Sequence, residues 1–403
     1  MTKRELYIEK IKPFINKDII KVLTGIRRSG KSVMLKLIME ELKQNGIDEK
    51  QFININFENL INRELTTSDK LHKYILKKAS EIKKKCYIFL DEIQEVKDWE
   101  KCINSLRVND GYDFDIYITG SNAKLLSGEL STYLAGRYVE FVIYPFSFKE
   151  FLETLKSIQQ DVSTREAFQK YVKFGGMPFL YNLAFEEEAS LQYLKDIYSS
   201  IILKDITQRN KIRDTDLLER VINYLIMNVG NNFSATSISK FFKSENRKVS
   251  VETILNYIKA AEEAFLIYKV SRDDLIGKKI LNVNEKYYIV DHRIREAILE
   301  SNQRDINQIF KNIIYLELLR RGYNVRVGKI DNLEVDFVCT KGNEKIYIQV
   351  AYLLASPETT EREFSSLEKI NDNYPKYVIS MDEFDMSRNG IRHINIIDFL
   401  IKS

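Results

Sequence analysis

The chain has 403 residues, 44% of them hydrophobic and 30% charged, with a formal charge of +4 at neutral pH. That length and core content predict about two to four domains, and so small a net charge excludes a global field that would draw in nucleic acid or membrane, leaving only local basic surfaces. Cys86, Cys102 and Cys339 show neither the paired spacing of a metal site nor a disulfide framework, and with three histidines zinc is not expected. Met1 to Lys12 lacks the apolar core of a signal peptide, and no apolar run approaches the ~18 residues of a membrane helix. The expectation is a reduced, cytoplasmic protein with no membrane partner.

The first expected strand, Asp18 to Leu23, is apolar and β-branched. It runs into Gly25-Ile26-Arg27-Arg28-Ser29-Gly30-Lys31-Ser32, and the helical pattern of Val33 to Leu42 follows. A strand, a turn bracketed by glycines and a helix start make an anion trap. The glycines let successive N–H groups turn inward, and the helix N-terminus adds partial positive charge. Gly25 to Val33 would line this cradle, with Lys31 reaching the terminal phosphates of a nucleoside triphosphate and the Ser32 hydroxyl ligating Mg2+.

Further strands are expected over Gln51–Phe57, Cys86–Leu90, Phe114–Thr119 and Tyr138–Tyr144, with helices between them. That alternation predicts a parallel α/β sheet over residues 1–150. Tyr87-Ile-Phe-Leu-Asp91-Glu92 ends a buried strand in two acids, where open α/β sheets place ligands. Asp91 would hold the metal opposite Ser32, and Glu92 would polarise the attacking water. At the tip of the fourth strand, Ser121 and then Asn122 are candidates to sense the γ-phosphate. Arg137, just before the fifth strand, is a candidate catalytic finger supplied to a neighbouring subunit of a homo-oligomer. The run Asn16-Lys17-Asp18 approximates a guanine-recognition motif but precedes the phosphate loop with the wrong spacing, so ATP is favoured.

Gly25–Ser32, Leu90-Asp91-Glu92-Ile93-Gln94, Thr119-Gly-Ser-Asn-Ala123, Leu134-Ala-Gly-Arg137, Pro145-Phe-Ser-Phe-Lys-Glu150-Phe151 and Gly175-Gly-Met-Pro178 together resemble a bacterial and archaeal group of AAA+-type P-loop ATPases. The resemblance spans nearly the whole chain. It implies a parallel core sheet, the catalytic glutamate directly after the metal-binding aspartate, then a helical lid, here residues 151–230.

Residues 231–300 read as a winged helix. Ser234–Phe242 and Ser250–Ile258 would form the helix-turn-helix, and strands around Phe265–Val270 and Lys286–Val290 the wing. From Ser234 to Ala260 there are five Lys/Arg against two Glu. Lys243, Arg247 and Lys248 are candidate phosphate contacts, and Ser250, Thr253 and Asn256 could face a DNA major groove. Residues 305–403 resemble the restriction-endonuclease-like core, with strands expected at Tyr323–Val327, Val335–Val338 and Ile346–Ala351. The positions that carry the resemblance are Glu317, Asp336 and Gln349. A working site of that type needs a lysine where Ala351 stands, so a retained fold for binding or assembly is favoured over cleavage. The leading expectation is an ATP-hydrolysing switch acting on DNA. The alternatives are an ATP-regulated nuclease and a non-hydrolysing scaffold.

Overall fold

The computed structural model describes residues 2–108, 111–123, 136–159, 161–275, 279–299 and 305–402, with the side chains of 279–284 outside that description. Leu134 and Ala135 of the family match lie outside the described residues. Contacts divide the chain into one unit of Met1–Ile143 with Glu263–Phe265, and another of Tyr144–Glu262 with Leu266–Ser403.

In the first unit all five expected strands are present. They are β1 (Ile20–Thr24), β2 (Phe52–Asn56), β3 (Cys86–Asp91), β4 (Phe114–Thr119) and β5 (Tyr138–Val142). They form a wholly parallel sheet in the order β2-β3-β4-β1-β5. β1 and β3 are buried at every residue, as strands covered on both faces must be, while the edge strand β2 alternates. The described helices are α1 (Glu5–Ile11), α2 (Lys31–Gln44), α3 (Ser68–Ile82) and α4 (Trp99–Arg107). Leu71, Ile75 and Ala79 of α3 and Trp99, Ile103 and Leu106 of α4 join Ile53, Ile88 and Ile118 in one apolar core. The chain leaves β1 for the far edge at β2, returns through β3 and β4, then crosses to β5 on the other side of β1. Strand order therefore reverses beside β1, and a ligand crevice is expected at its carboxyl end.

The amino-terminal edge of the same sheet is held by buried polar groups. Lys21 and Asp115 form an ion pair whose side chains are both 0% exposed. The Tyr117 hydroxyl donates to Asp115 Oδ2 at 3.0 Å, the Asn16 amide to the same oxygen at 2.9 Å, and the Tyr87 hydroxyl to Asn16 Oδ1 at 2.8 Å. Asp18 pairs with Arg107 at 2.8 Å. The Asn16-Lys17-Asp18 run therefore braces this edge.

The second unit begins with α5 (Phe148–Ile158), α6 (Thr164–Phe174), α7 (Glu187–Ser200) and α8 (Thr215–Met227). Ser147 with Glu150 and Ser163 with Glu166 form reciprocal capping boxes that set where α5 and α6 start. The Gly175-Gly176-Met177-Pro178 segment follows α6, and Gly176 N donates to Asp291 Oδ2 at 2.6 Å. Helices α9 (Ala235–Ser244) and α10 (Val251–Glu263) occupy the two-helix segment. After them β6 (Ile267–Asp274) and β7 (Lys279–Ile289) pair as an antiparallel hairpin.

That hairpin is not a free wing. β6 runs parallel to β8 (Asn324–Ile330), with Arg272 opposite Val327. It thereby joins a seven-stranded mixed sheet, β12-β11-β10-β9-β8-β6-β7. The other members are β9 (Leu333–Lys341), β10 (Glu344–Val350), β11 (Lys376–Ser380) and β12 (Ile391–Asn395). Backbone pairing thus crosses the boundary expected between the 231–300 and 305–403 segments. Helices α11 (His292–Leu299), α12 (Ile306–Arg320), α13 (Pro357–Glu368) and α14 (Ile396–Ile401) complete the unit. Phe364 and Leu367 of α13 pack with Val338, Tyr347 and Val378.

Candidate nucleotide site

β1 ends at Thr24 and the chain turns at once through Gly25, whose φ is +134°. A Cβ there would stand 2.3 Å from the Ile143 carbonyl oxygen, so only glycine fits. Gly30, at φ +100°, lets the chain enter α2 at Lys31. Lys31 is buried, and its Nζ donates to the carbonyls of Gly25 and Ile26 at 3.1 Å each. The ammonium is thus folded over the mouth of the loop, 3.8 Å from Glu92 Oε1. Ser32 and Arg28 are exposed and Arg27 is half-buried, while Ile26 and Ser29 are buried and Val33 is half-buried. Arg27 stands 3.7 Å from Glu58.

β3 lies next to β4, and this neighbour relation assembles the acids. The Thr119 hydroxyl donates to Asp91 Oδ1 at 2.6 Å and accepts from the Glu92 amide at 2.9 Å. Asn56, from β2, donates to Asp91 Oδ2 at 2.8 Å. The Ser32 hydroxyl also bonds Asp91, which brings the loop and the β3 tip together. Burial pushes the Asp91 carboxyl above its ordinary range, against the opposing pull of the Thr119 and Ser32 hydrogen bonds. Glu92 adopts a left-handed backbone, φ +57°, which is uncommon outside glycine and turns its carboxylate toward Lys31. Gln94 Nε2 donates to Glu92 Oε2 and holds that orientation.

Sequence reasoning misses Asn56 and Thr119 as ligands of the acid pair. Thr119 opens the Thr119–Ala123 motif, but its bond to the acids follows from the β3–β4 register. Ser121 and Asn122 sit just beyond the end of β4, 1% and 2% exposed. Arg137 does not join this group. Its backbone carbonyl accepts from Ile20 N at 3.0 Å, and its Nη1 donates to Asn104 Oδ1 at 2.8 Å. Those contacts fix it at the amino-terminal edge of the sheet, the end opposite the phosphate loop.

In the second unit, Glu317, Asp336 and Gln349 do not form one acid set. Glu317 pairs with Arg321 at 2.9 Å and Arg320 at 3.4 Å, and Arg320 Nη2 in turn donates to the Pro145 carbonyl at 3.1 Å. Asp336 is instead met by Lys311 at 2.6 Å and by the Val350 amide at 3.0 Å. Lys311 and Glu317 lie on one helix about 1.7 turns apart, which puts them on different faces. Gln349 Oε1 accepts from Asp336 N at 2.5 Å, and its Nε2 donates to Glu363 at 3.1 Å. Each acid therefore has its protein partners, and among the described residues no group of three or more His, Cys, Asp or Glu could hold a metal. In the two-helix segment, Ser250 Oγ accepts from Thr253 N at 3.0 Å, Arg247 pairs with Asp216 at 2.5 Å, and Asn256 is exposed. Ser250 and Thr253 thus cap α10 with each other.

Residues 17–152 match a family described as an AAA domain, and residues 165–321 match a domain of unknown function, DUF8612. With its five-stranded parallel sheet and glycine-bracketed loop, the amino-terminal unit has the α/β fold of a P-loop NTPase domain. An uncharacterized protein of Haemophilus influenzae is 39% identical over 403 residues, covering 100% of this chain and 99% of its own. The uncharacterized protein MJ1544 of Methanocaldococcus jannaschii is 35% identical, over 98% of this chain and 90% of its own. The chain belongs to the family of these full-length relatives. The Walker-type ATPase PABY2304 of Pyrococcus abyssi is similar in fold, with a TM-score of 0.51 at 14% identity over 74% of this chain and 96% of that one. No helix among the described residues is long and apolar enough to cross a membrane.

Proposed function

We propose that the chain hydrolyses ATP and uses the cycle to switch its second unit on and off DNA. The observation that carries the catalytic half is the convergence of Lys31, Ser32, Asp91 and Glu92 at one strand edge, with Thr119 bonded to both acids. The loop amides cradle the phosphates, and Lys31 exchanges its carbonyl contacts for phosphate oxygens. Glu92 accepts the proton of the water that attacks the γ-phosphorus, and the β–γ bridging bond breaks to leave ADP and phosphate. A hydroxyl and a buried carboxylate suit a hard divalent cation, so Ser32 and Asp91 would hold Mg2+, which offsets the charge developing on the phosphate oxygens. In this reading Ser121 and Asn122, just after β4, report the state of the γ-phosphate.

Arg137 is too far along the sheet to serve its own nucleotide, and in this reading it serves a neighbouring copy. Mixing Arg137→Ala with Lys31→Ala subunits is expected to restore part of the ATPase activity each lacks alone. Steady-state phosphate release with no recovery at any ratio rejects the role.

The DNA half rests on the local excess of five Lys/Arg over two Glu between Ser234 and Ala260. Reversing Lys243 and Lys248 to glutamate is expected to weaken duplex binding and flatten its salt dependence by about two ionic contacts, since each phosphate contact releases condensed counterions. Fluorescence anisotropy over a salt series measures both effects. Unchanged affinity and slope would mean that these helices pack rather than bind.

A further inference from the structure

We infer that Arg4, 25 residues before Ser29 in the chain, is a positioning residue that presets the phosphate loop for nucleotide. The inference rests on the ATP reading above. Arg4 is 2% exposed and is among the largest fully buried side chains of the protein. Its Nη1 donates to the Ser29 carbonyl at 2.9 Å, and its guanidinium carbon lies 4.6 Å from the centre of the buried Tyr7 ring. The backbone at Arg4 is left-handed, φ +49°, and its carbonyl accepts from Tyr7 N at 3.0 Å and Ile8 N at 3.3 Å. One residue thus starts α1 and reaches back to the loop. An uncommon backbone and a buried guanidinium are both costly arrangements, and they persist where the surroundings hold them for a purpose.

The contact acts through the geometry of a single peptide. A trans peptide is planar, so its C=O and the following N–H point in opposite directions. Holding the Ser29 carbonyl toward Arg4 turns the Gly30 N–H the other way, into the concave side that receives phosphate. Ser29 Oγ has no hydrogen-bond partner among the described residues, so the serine side chain does not anchor this peptide. Gly30, at φ +100°, would otherwise be among the least restrained residues of the loop. The fixed positive charge behind the loop adds attraction for a polyphosphate in the same place.

The test is titration of Mg·ATP by calorimetry on wild type, Arg4→Met and Arg4→Lys, with Trp99 fluorescence confirming that each is folded. Arg4→Met keeps the packing on Tyr7 and is expected to bind ATP at least about tenfold more weakly, the scale of a lost charge-assisted hydrogen bond. Turnover at saturating ATP should change much less, so the effect falls on KM rather than kcat. Millimolar methylguanidinium should restore part of the ATP affinity of Arg4→Ala by returning the donor to the Ser29 carbonyl. If the methionine variant does not fold, the lysine variant carries the test, with affinity expected several-fold below wild type. Wild-type affinity in any folded Arg4 variant overturns the inference. Failure of the wild type itself to bind Mg·ATP would refute the nucleotide reading instead.

Discussion

Glu92→Gln is expected to bind Mg·ATP at least as tightly as the wild type and to turn it over about 10²–10⁴-fold more slowly, the usual contribution of a positioned general base. The amide keeps the shape of the carboxylate and can still meet Gln94, so the loop and Asp91 should stay in place. What it loses is the ability to take a proton. It also removes a negative charge 3.8 Å from Lys31, which frees the ammonium for phosphate and favours tighter binding. Single-turnover phosphate release beside equilibrium binding separates the two effects. Turnover within a few fold of wild type would remove Glu92 from the mechanism. Intact binding with no turnover in the wild type would favour the scaffold reading.

The second large effect lies at the other end of the sheet. Lys21→Met should destabilise the first unit by about 3–5 kcal/mol, because it strands Asp115 as an uncompensated buried charge. Both side chains of the pair are 0% exposed, and Asp115 is also the hub for Tyr117 and Asn16. Lys21→Met with Asp115→Leu should recover part of that loss, since the double change leaves no orphan charge. Trp99 is the single tryptophan of the chain and lies in the core of this unit, so its fluorescence during urea unfolding reports the right transition. A single variant as stable as wild type, or a double variant no better than the single, would mean that the pair is not buried as described. Lys21 lies four residues before Gly25, about 13 Å at ~3.3 Å per residue, which separates this pair from the phosphate loop. The folded fraction should therefore keep its ATP affinity.

The parts of the site legible in the sequence are those whose chemistry is written contiguously. Gly25 to Ser32 carries its own turn and helix start, and Asp91-Glu92 closes a four-residue apolar run, so both could be placed on strand ends without knowing the sheet. Asn56 and Thr119 reach the acid pair from β2 and β4, and only the strand order reveals it; Arg4, just before α1, meets the Ser29 carbonyl through a contact 25 residues apart in the chain. The same limit applies to the second unit. The β6–β7 hairpin looks like a wing because its own turn is local, whereas its partner β8 lies about 50 residues further on. β11 and β12 carry a weak strand signal because each has five residues and mixes polar with apolar positions. Glu317 and Asp336 occupy the expected elements, but the helical phase of α12 directs Lys311 rather than Glu317 to Asp336.

Calorimetric titration of the whole chain with Mg·ATP, beside Lys31→Ala, bears most directly on the triphosphate cradle. One saturable site per chain with a raised unfolding temperature is predicted for the wild type, and loss of both in the variant. No heat and no thermal protection in the wild type, or equal binding by the alanine variant, would contradict it.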